Sequence, residues 1–323
     1  MIKNNLNFLN NIQKKNLDSK SIKKFTKLFP KIFSKVFTDI NSSKKTLNTL
    51  NKKFNFNFEF KDLEKFKSFK TIAIIGMGGS ILGSEAVSHF LKEKINKKIY
   101  FFNDLNIKKI QNFKKKKNLN KILFFVISKS GNTVETLSNF FTLKIIKKNS
   151  KNIIIISEKK NNLLYSLSKK FNLFYIEHKN YIGGRYSVLS EVGIVPAYLM
   201  GININKLRSG SLKSLKKTQL FLKDSTIMLS SLLSFKKIDN LIFLNYCPEL
   251  EKFLFWCQQL IAESLGKNGK GFLPTISNAP KDHHSLLQLY LDGPKNKLFY
   301  IFSHDESSKE KINIKEILKE KNF

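Results

Sequence analysis

The sequence predicts an α/β protein built on two parallel, doubly wound sheets, each a three-layer αβα sandwich, with the second sheet short of strands. Three observations predict this. Short apolar runs recur at 72–75, 98–102, 122–127, 152–156 and 173–176. Helical patterns fall between them at about 81–92, 133–147 and 160–170. Near residue 206 a second unit begins, with a strand at Leu241–Leu244, helices at 251–265 and 284–291, and a strand at 297–302. Strands alternating with helices form a parallel sheet covered on both faces. Ligands of such sheets bind beyond the carboxyl ends of the strands. The loops that follow the strands are therefore where chemistry is expected.

A chain of 323 residues suits two domains, divided here at 1–205 and 206–323. With 41% apolar residues it can bury a core. Residues 1–70 are rich in Lys, Asn and Phe and read as a helical layer without chemistry, while 308–321 reads as a charged helical tail. The longest apolar runs, such as Ile122–Ile127, are strand-sized and too short to cross a bilayer. The N-terminus Met1-Ile-Lys-Asn-Asn-Leu-Asn lacks the apolar block of a signal peptide. Cys247 and Cys257 have apolar neighbours and no metal spacing, which predicts buried, reduced thiols. The reading is a cytoplasmic protein with no membrane partner.

The net charge of +34 invites a nucleic-acid partner, but the sequence argues against one. Of 58 basic residues only Arg185 and Arg208 are arginine, and the lysines spread over nearly every polar face. Base-specific readers rely on arginine forks. A positive field still attracts small anions, phosphorylated sugars included. In a chain that uses lysine almost everywhere, Arg185 in Gly183-Gly-Arg-Tyr-Ser187 stands out. Its planar guanidinium cannot lose its charge and holds oxygen pairs in a fixed plane.

Two glycine- and hydroxyl-rich loops offer anion sites. Ile72-Ala-Ile-Ile-Gly-Met-Gly-Gly-Ser80 is a strand leading into a loop whose Gly79 and Ser80 let backbone N–H groups approach an anion. A dinucleotide fingerprint would need a third glycine at position 81, which is Ile81. Ser128-Lys-Ser-Gly-Asn-Thr133 gathers Ser128, Lys129, Ser130 and Thr133 before a helix, with Asn132 and Glu135 spaced as a capping box. It lacks the ending of a nucleotide-binding P-loop, so no nucleotide is inferred.

The segment Glu263-Ser-Leu-Gly-Lys-Asn-Gly-Lys-Gly271 ends the amphipathic helix 251–265. Phe253, Leu254, Cys257, Leu260, Ile261 and Leu265 form its apolar stripe, and Trp256, Gln259 and Glu263 share an adjacent face at spacings of three and four. Glu263 is thus presented as a general base at the helix end. His283 and His284 open another helix. Adjacent histidines point in different directions, so no metal is inferred, and one of them serves as a proton shuttle. His89, His178 and His304 are read as capping or surface residues.

The ordered motifs Gly183–Ser190 with Val192–Pro196, Trp256–Gly271 and Lys281–Gly293 resemble the glucose-6-phosphate isomerase family, the two-domain sugar isomerases with SIS-type sheets. The resemblance runs from about Ile72 to Phe302. It implies cofactor-free interconversion of glucose 6-phosphate and fructose 6-phosphate through an enediol-like intermediate. It implies Glu263 as the base, Arg185 as the cation on the developing oxygen and His284 as the ring-opening acid/base. Ser128, Ser130 and Thr133 match the phosphate cradle, with Gly79, Ser80 and Lys129 close by, and Gln259 matches a pocket residue. The family resemblance also implies a homodimer with a shared active site. Family members continue past the point matching Phe302, and a lysine in that part assists ring opening; neither Lys315 nor Lys319 matches it. A shortened product, a separate chain supplying the rest and a compact variant all remain open, as does a non-catalytic sugar-phosphate binder on the same scaffold.

Overall fold

A computed structural model describes residues 8–12, 17–235 and 238–304 of the chain. The tail expected at 308–321 lies outside the described residues. The helical layer opens with α1 (Ser19–Asn41), capped by Asp18, whose carboxylate accepts from Ser21 N at 2.8 Å. The short helix α2 (Phe60–Leu63) leads into the first sheet.

That sheet contains β1 (Thr71–Ile75), β2 (Lys98–Phe102), β3 (Ile122–Ile127), β4 (Ile153–Ser157) and β5 (Phe174–Glu177), all parallel, in the order β2-β1-β3-β4-β5. The crossovers are α3 (Leu82–Phe90), α4 (Ile107–Lys116), α5 (Val134–Leu143) and α6 (Leu163–Lys170). Sequence alone gave no helix for α4, because Ile107, Ile110 and Phe113 are its only apolar residues among lysines, Gln111 and Asn112; Ile110 and Phe113 are its buried residues.

The period of two in the strands sorts the core into two layers. Ile72, Ile74, Leu123, Phe125, Ile154 and Ile156 face one side, where they meet α7 (Glu191–Leu199). Ala73, Ile75, Phe124, Val126, Ile153 and Ile155 face the other, against α4, α5 and α6. Both faces are apolar and fully buried, which is why β3 and β4 read as continuous hydrophobic runs.

Two long helices, α8 (Ile204–Lys217) and α9 (Gln219–Phe235), carry the chain to the second sheet, and α9 packs on α1. The second sheet holds β6 (Asn240–Asn245), β7 (Leu273–Asn278) and β8 (Lys297–Phe302), parallel, in the order β7-β6-β8. Its connections are α10 (Glu251–Leu265) and α11 (His283–Asp292). Its core joins Leu241, Phe243, Leu254, Leu232 and Phe272. The two sheets meet through α3 and α10, which pack along each other. The architecture is the α/β one expected, and the second sheet has three strands among the described residues. No helix among them is long and apolar enough to cross a membrane.

Candidate active site

The order of the first sheet reverses between β1 and β3, so their exit loops diverge and leave a crevice. Gly76 ends β1 in close contact with that neighbour: a Cβ there would stand 3.0 Å from Ile127 O and 3.2 Å from Ser80 Cβ. The start of the loop 76–80 is therefore held against the end of β3, where the loop 128–133 begins.

The second loop forms a cluster of hydroxyls. Ser128 Oγ lies 2.8 Å from Thr133 Oγ1, and Ser130 Oγ lies 3.4 Å from each of them. Gly131 N donates to Ser128 Oγ at 3.1 Å. Gly131 has a φ of +72°, and a Cβ there would meet Asn162 Oδ1 at 1.9 Å, so a side chain is excluded. The expected capping box does not form. Thr133 is the N-cap of α5 and makes no side-chain cap bond. Asn132 is occupied elsewhere, its Oδ1 accepting from Leu163 N at 2.8 Å to start α6. The first turn of α5 thus carries N–H groups without a side-chain acceptor next to three hydroxyls, which suits an anion. Lys129 borders the loop but turns to Asn180 O at 2.9 Å and to Glu158 at 3.6 Å.

The acid and the guanidinium meet across the interface between the sheets. Arg185 Nη1 lies 3.1 Å from Glu263 Oε2, and Gln259 Nε2 donates to Glu263 Oε1 at 2.7 Å. Gln259 and Glu263 are one turn apart on α10, as the spacing requires. Trp256, one turn earlier, donates its Nε1–H to Arg185 O at 2.9 Å. That face of α10 therefore addresses the 3₁₀ segment Gly184–Leu189, with Glu263 at its exposed end. Gln259 Oε1 is buried without a protein partner, a polar atom left available beside the pair.

The glycine loop is locked against the arginine loop. A Cβ on Gly79 would stand 2.2 Å from Gly184 C, 2.4 Å from Gly184 O and 2.5 Å from Arg185 N. A Cβ on Gly78 would meet Gln259 Nε2 at 2.8 Å. Ser187 Oγ lies 2.6 Å from Gly184 O and 3.1 Å from Gly79 O, stitching the two loops together. Gly78 and Gly79 thus touch both the pocket residue and the arginine backbone.

Sequence reasoning gave no role to two residues that orient Arg185. Arg185 Nε donates to Ser264 Oγ at 2.9 Å, and Tyr186 OH lies 2.8 Å from the same oxygen. The guanidinium carbon sits 4.7 Å from the centre of the Tyr186 ring. Both residues lie inside motifs already singled out, as neighbours of Glu263 and Arg185, and that adjacency was the available signal.

Behind this loop is a buried polar support. Glu191, fully buried at the start of α7, accepts from Asn57 N at 3.1 Å and faces Lys179 at 3.6 Å. Burial raises its pKa from the usual carboxylate value, and Lys179 opposes the rise. Arg208, the other arginine, donates to Leu189 O and Asn51 O at 2.7 and 2.6 Å between the rings of Phe54 and Phe56. It ties the helical layer to the end of the arginine loop and has a structural role.

The histidines His283 and His284 open α11. His283 Nε2 pairs with Tyr246 OH at 2.9 Å. His284 is exposed on the first turn of α11, and no described hydrogen bond joins its ring to Glu263, Arg185 or Gln259.

The family model for phosphoglucose isomerase matches residues 30–279. Glucose-6-phosphate isomerase from Methanocaldococcus jannaschii is 34% identical over 249 residues, covering 73% of this chain and 61% of that protein. A probable glucose-6-phosphate isomerase from Methanococcus maripaludis is 36% identical over 250 residues, covering 73% of this chain and 57% of that protein. The chain thus spans about three fifths of the length of these relatives. In fold, it resembles the crystal structure of a glucose-6-phosphate isomerase from Chlamydia trachomatis with a TM-score of 0.65 at 17% identity, over 89% of this chain and 67% of that one. Matched over most of its length by the family model and by relatives above 30% identity, the chain belongs to the phosphoglucose isomerase family.

Proposed function

We propose that the chain binds glucose 6-phosphate and fructose 6-phosphate and interconverts them by proton transfer. The observation that carries this reading is the Arg185–Glu263 pair at 3.1 Å, with the glycine loop 78–79 packed against Arg185 and Gln259. Ser128, Ser130 and Thr133 hold the phosphate, with the N–H groups at the start of α5, Gly79 and Ser80 beside them. Lys129 adds positive charge at the rim.

With the phosphate anchored there, Glu263 takes a proton from the carbon next to the carbonyl and returns it to the neighbouring carbon. A negative oxygen develops on the enediol-like intermediate, and the fixed charge of Arg185 stabilises it where it appears. Gln259 orients the Glu263 carboxylate through its 2.7 Å hydrogen bond. Ser264 and Tyr186 hold the guanidinium plane. No step calls for a metal or organic cofactor.

Opening the sugar ring needs an acid/base, and His284 takes this role. Its exposed position fits delivery to a second copy of the chain, so the working assembly is a homodimer with shared sites, or one completed by a separate chain. A cytoplasmic enzyme of sugar-phosphate metabolism is the cellular reading.

The test is turnover of fructose 6-phosphate by the purified chain, alongside calorimetric binding of the same sugar. The proposal expects turnover that Glu263→Gln abolishes while binding persists. Binding without turnover in the unaltered chain would establish the sugar-phosphate binder instead. No binding at all would overturn both.

A further inference from the structure

The second sheet has its own reversal of strand order. From β6 the chain crosses to β7 on one side and then to β8 on the other. The carboxyl ends of β6 and β8 therefore flank a crevice of the kind where open α/β sheets bind ligands. Three metal-binding side chains converge there. Asn245 is paired with Phe302, and Tyr246 N donates to Phe302 O at 2.8 Å. Cys247 and His304 each stand two residues beyond that pair, at matching places on neighbouring strands. The turn into α10, closed by Leu250 N donating to Cys247 O at 2.9 Å, brings Glu249 to the same spot. Cys247 Sγ, a Glu249 oxygen and a His304 nitrogen all lie within 4.8 Å of one another. Among the described residues this is the one such group.

We propose that Cys247, Glu249 and His304 form a binding site for a zinc-class divalent ion. Thiolate, imidazole and carboxylate are the donors zinc takes, at about 2.0–2.3 Å, which sets them roughly 3.4–3.7 Å apart around a tetrahedral ion. The three donor atoms lie within 4.8 Å of one another, so shifts of about 1 Å bring them to those separations. Glu249 Oε1 and His304 Nε2 are in direct contact at 2.5 Å, so they part by about 1 Å to admit the ion. A sulfur donor selects zinc or cobalt over magnesium and calcium, which prefer oxygen. Cys247 is buried, whereas the side chains of Glu249 and His304 are 40% and 39% exposed. The ion is thus enclosed on its sulfur side and keeps a fourth position open to water. The thiol proton leaves to solvent on binding.

Neighbouring bonds hold the donors in place. Cys247 N donates to Asn245 Oδ1 at 3.0 Å, and His89 Nδ1 lies 3.0 Å from Glu249 O. The site is separate from the Arg185–Glu263 pair: Glu251 starts α10 and Glu263 lies roughly 18 Å further along it. The proposal does not rest on the isomerase reading.

The experiment is titration of the purified, reduced, chelator-treated chain with Co²⁺ alone, followed by absorbance, then displacement by Zn²⁺. The expected result is one equivalent of Co²⁺ with a thiolate-to-cobalt charge-transfer band and tetrahedral visible bands. Cys257→Ser retains the band. Cys247→Ser abolishes it, and the half-exposed variants Glu249→Gln and His304→Gln each weaken Co²⁺ affinity on the order of tenfold or more. Absence of a thiolate band in the unaltered chain overturns the proposal, even if Cys247→Ser does not fold. So does a band that survives Cys247→Ser, or unchanged affinity in His304→Gln.

Discussion

Gly79→Ala tests how the site is assembled without touching a charged group. The added methyl would stand 2.2 Å from Gly184 C and 2.5 Å from Arg185 N, against the 3.4 Å where ordinary contact begins. The obstructing atoms are backbone, which cannot rotate aside. The loops must separate by about 1.2 Å, the difference between 3.4 and 2.2 Å. Arg185 moves with its backbone, so its position relative to Glu263 changes by a similar amount. A shift of about 1 Å at a catalytic group costs on the order of a hundredfold in rate. Overpacking also destabilises the fold by about 1–3 kcal/mol. The assay is kcat for fructose 6-phosphate isomerisation, with urea unfolding on the same sample. Gly210→Ala is the control, since nothing lies within 4 Å of its added methyl and alanine is the better helix former in α8. It should keep full activity. A Gly79→Ala enzyme with unaltered kcat and stability would refute the reasoning.

Three further outcomes follow from the same geometry. Arg185→Lys should lower kcat by roughly a hundredfold or more while KM changes far less, because a single ammonium cannot bond both Ser264 and Glu263 as the fork does; equal changes in both constants would make the arginine a mere substrate grip. Ser264→Ala should lower kcat with little change in stability, since it frees the guanidinium plane but leaves its charge; unchanged kcat would remove Ser264 as a positioning residue. His178 is buried, and desolvation lowers its pKa from 6.5 to about 4. A base whose folded pKa is depressed stabilises the fold above its unfolded pKa, so stability should fall as pH drops from about 6.5 to about 4, by up to about 3 kcal/mol. In His178→Gln that part of the loss should vanish in pH-dependent unfolding; an unchanged profile would mean the ring is solvated.

The first sheet was legible because its central strands are buried on both faces, so Ile122–Ile127 and 153–156 read as unbroken apolar runs. β7 was not legible. Leu273–Asn278 is an edge strand with an exposed leucine, and its buried positions are a proline, Pro274, and a serine, Ser277, so no apolar run marks it. The face shared by Trp256, Gln259 and Glu263 was readable from helical spacing alone. What it faces was not, because Arg185 lies 78 residues from Glu263 and 79 from Ser264. The capping box failed for a similar reason: Asn132 matches the local pattern, but Leu163 N, 31 residues away, claims its side chain. Local patterns gave elements and faces, while the partners came from the crossing of chain segments far apart in sequence.

The most direct test of the account is proton exchange in deuterated water. With fructose 6-phosphate, the chain should place solvent deuterium on the carbon next to the carbonyl in the glucose 6-phosphate formed, and Glu263→Gln should lose both the label and the turnover while still binding the sugar. Labelling and isomerisation that continue in Glu263→Gln would contradict it.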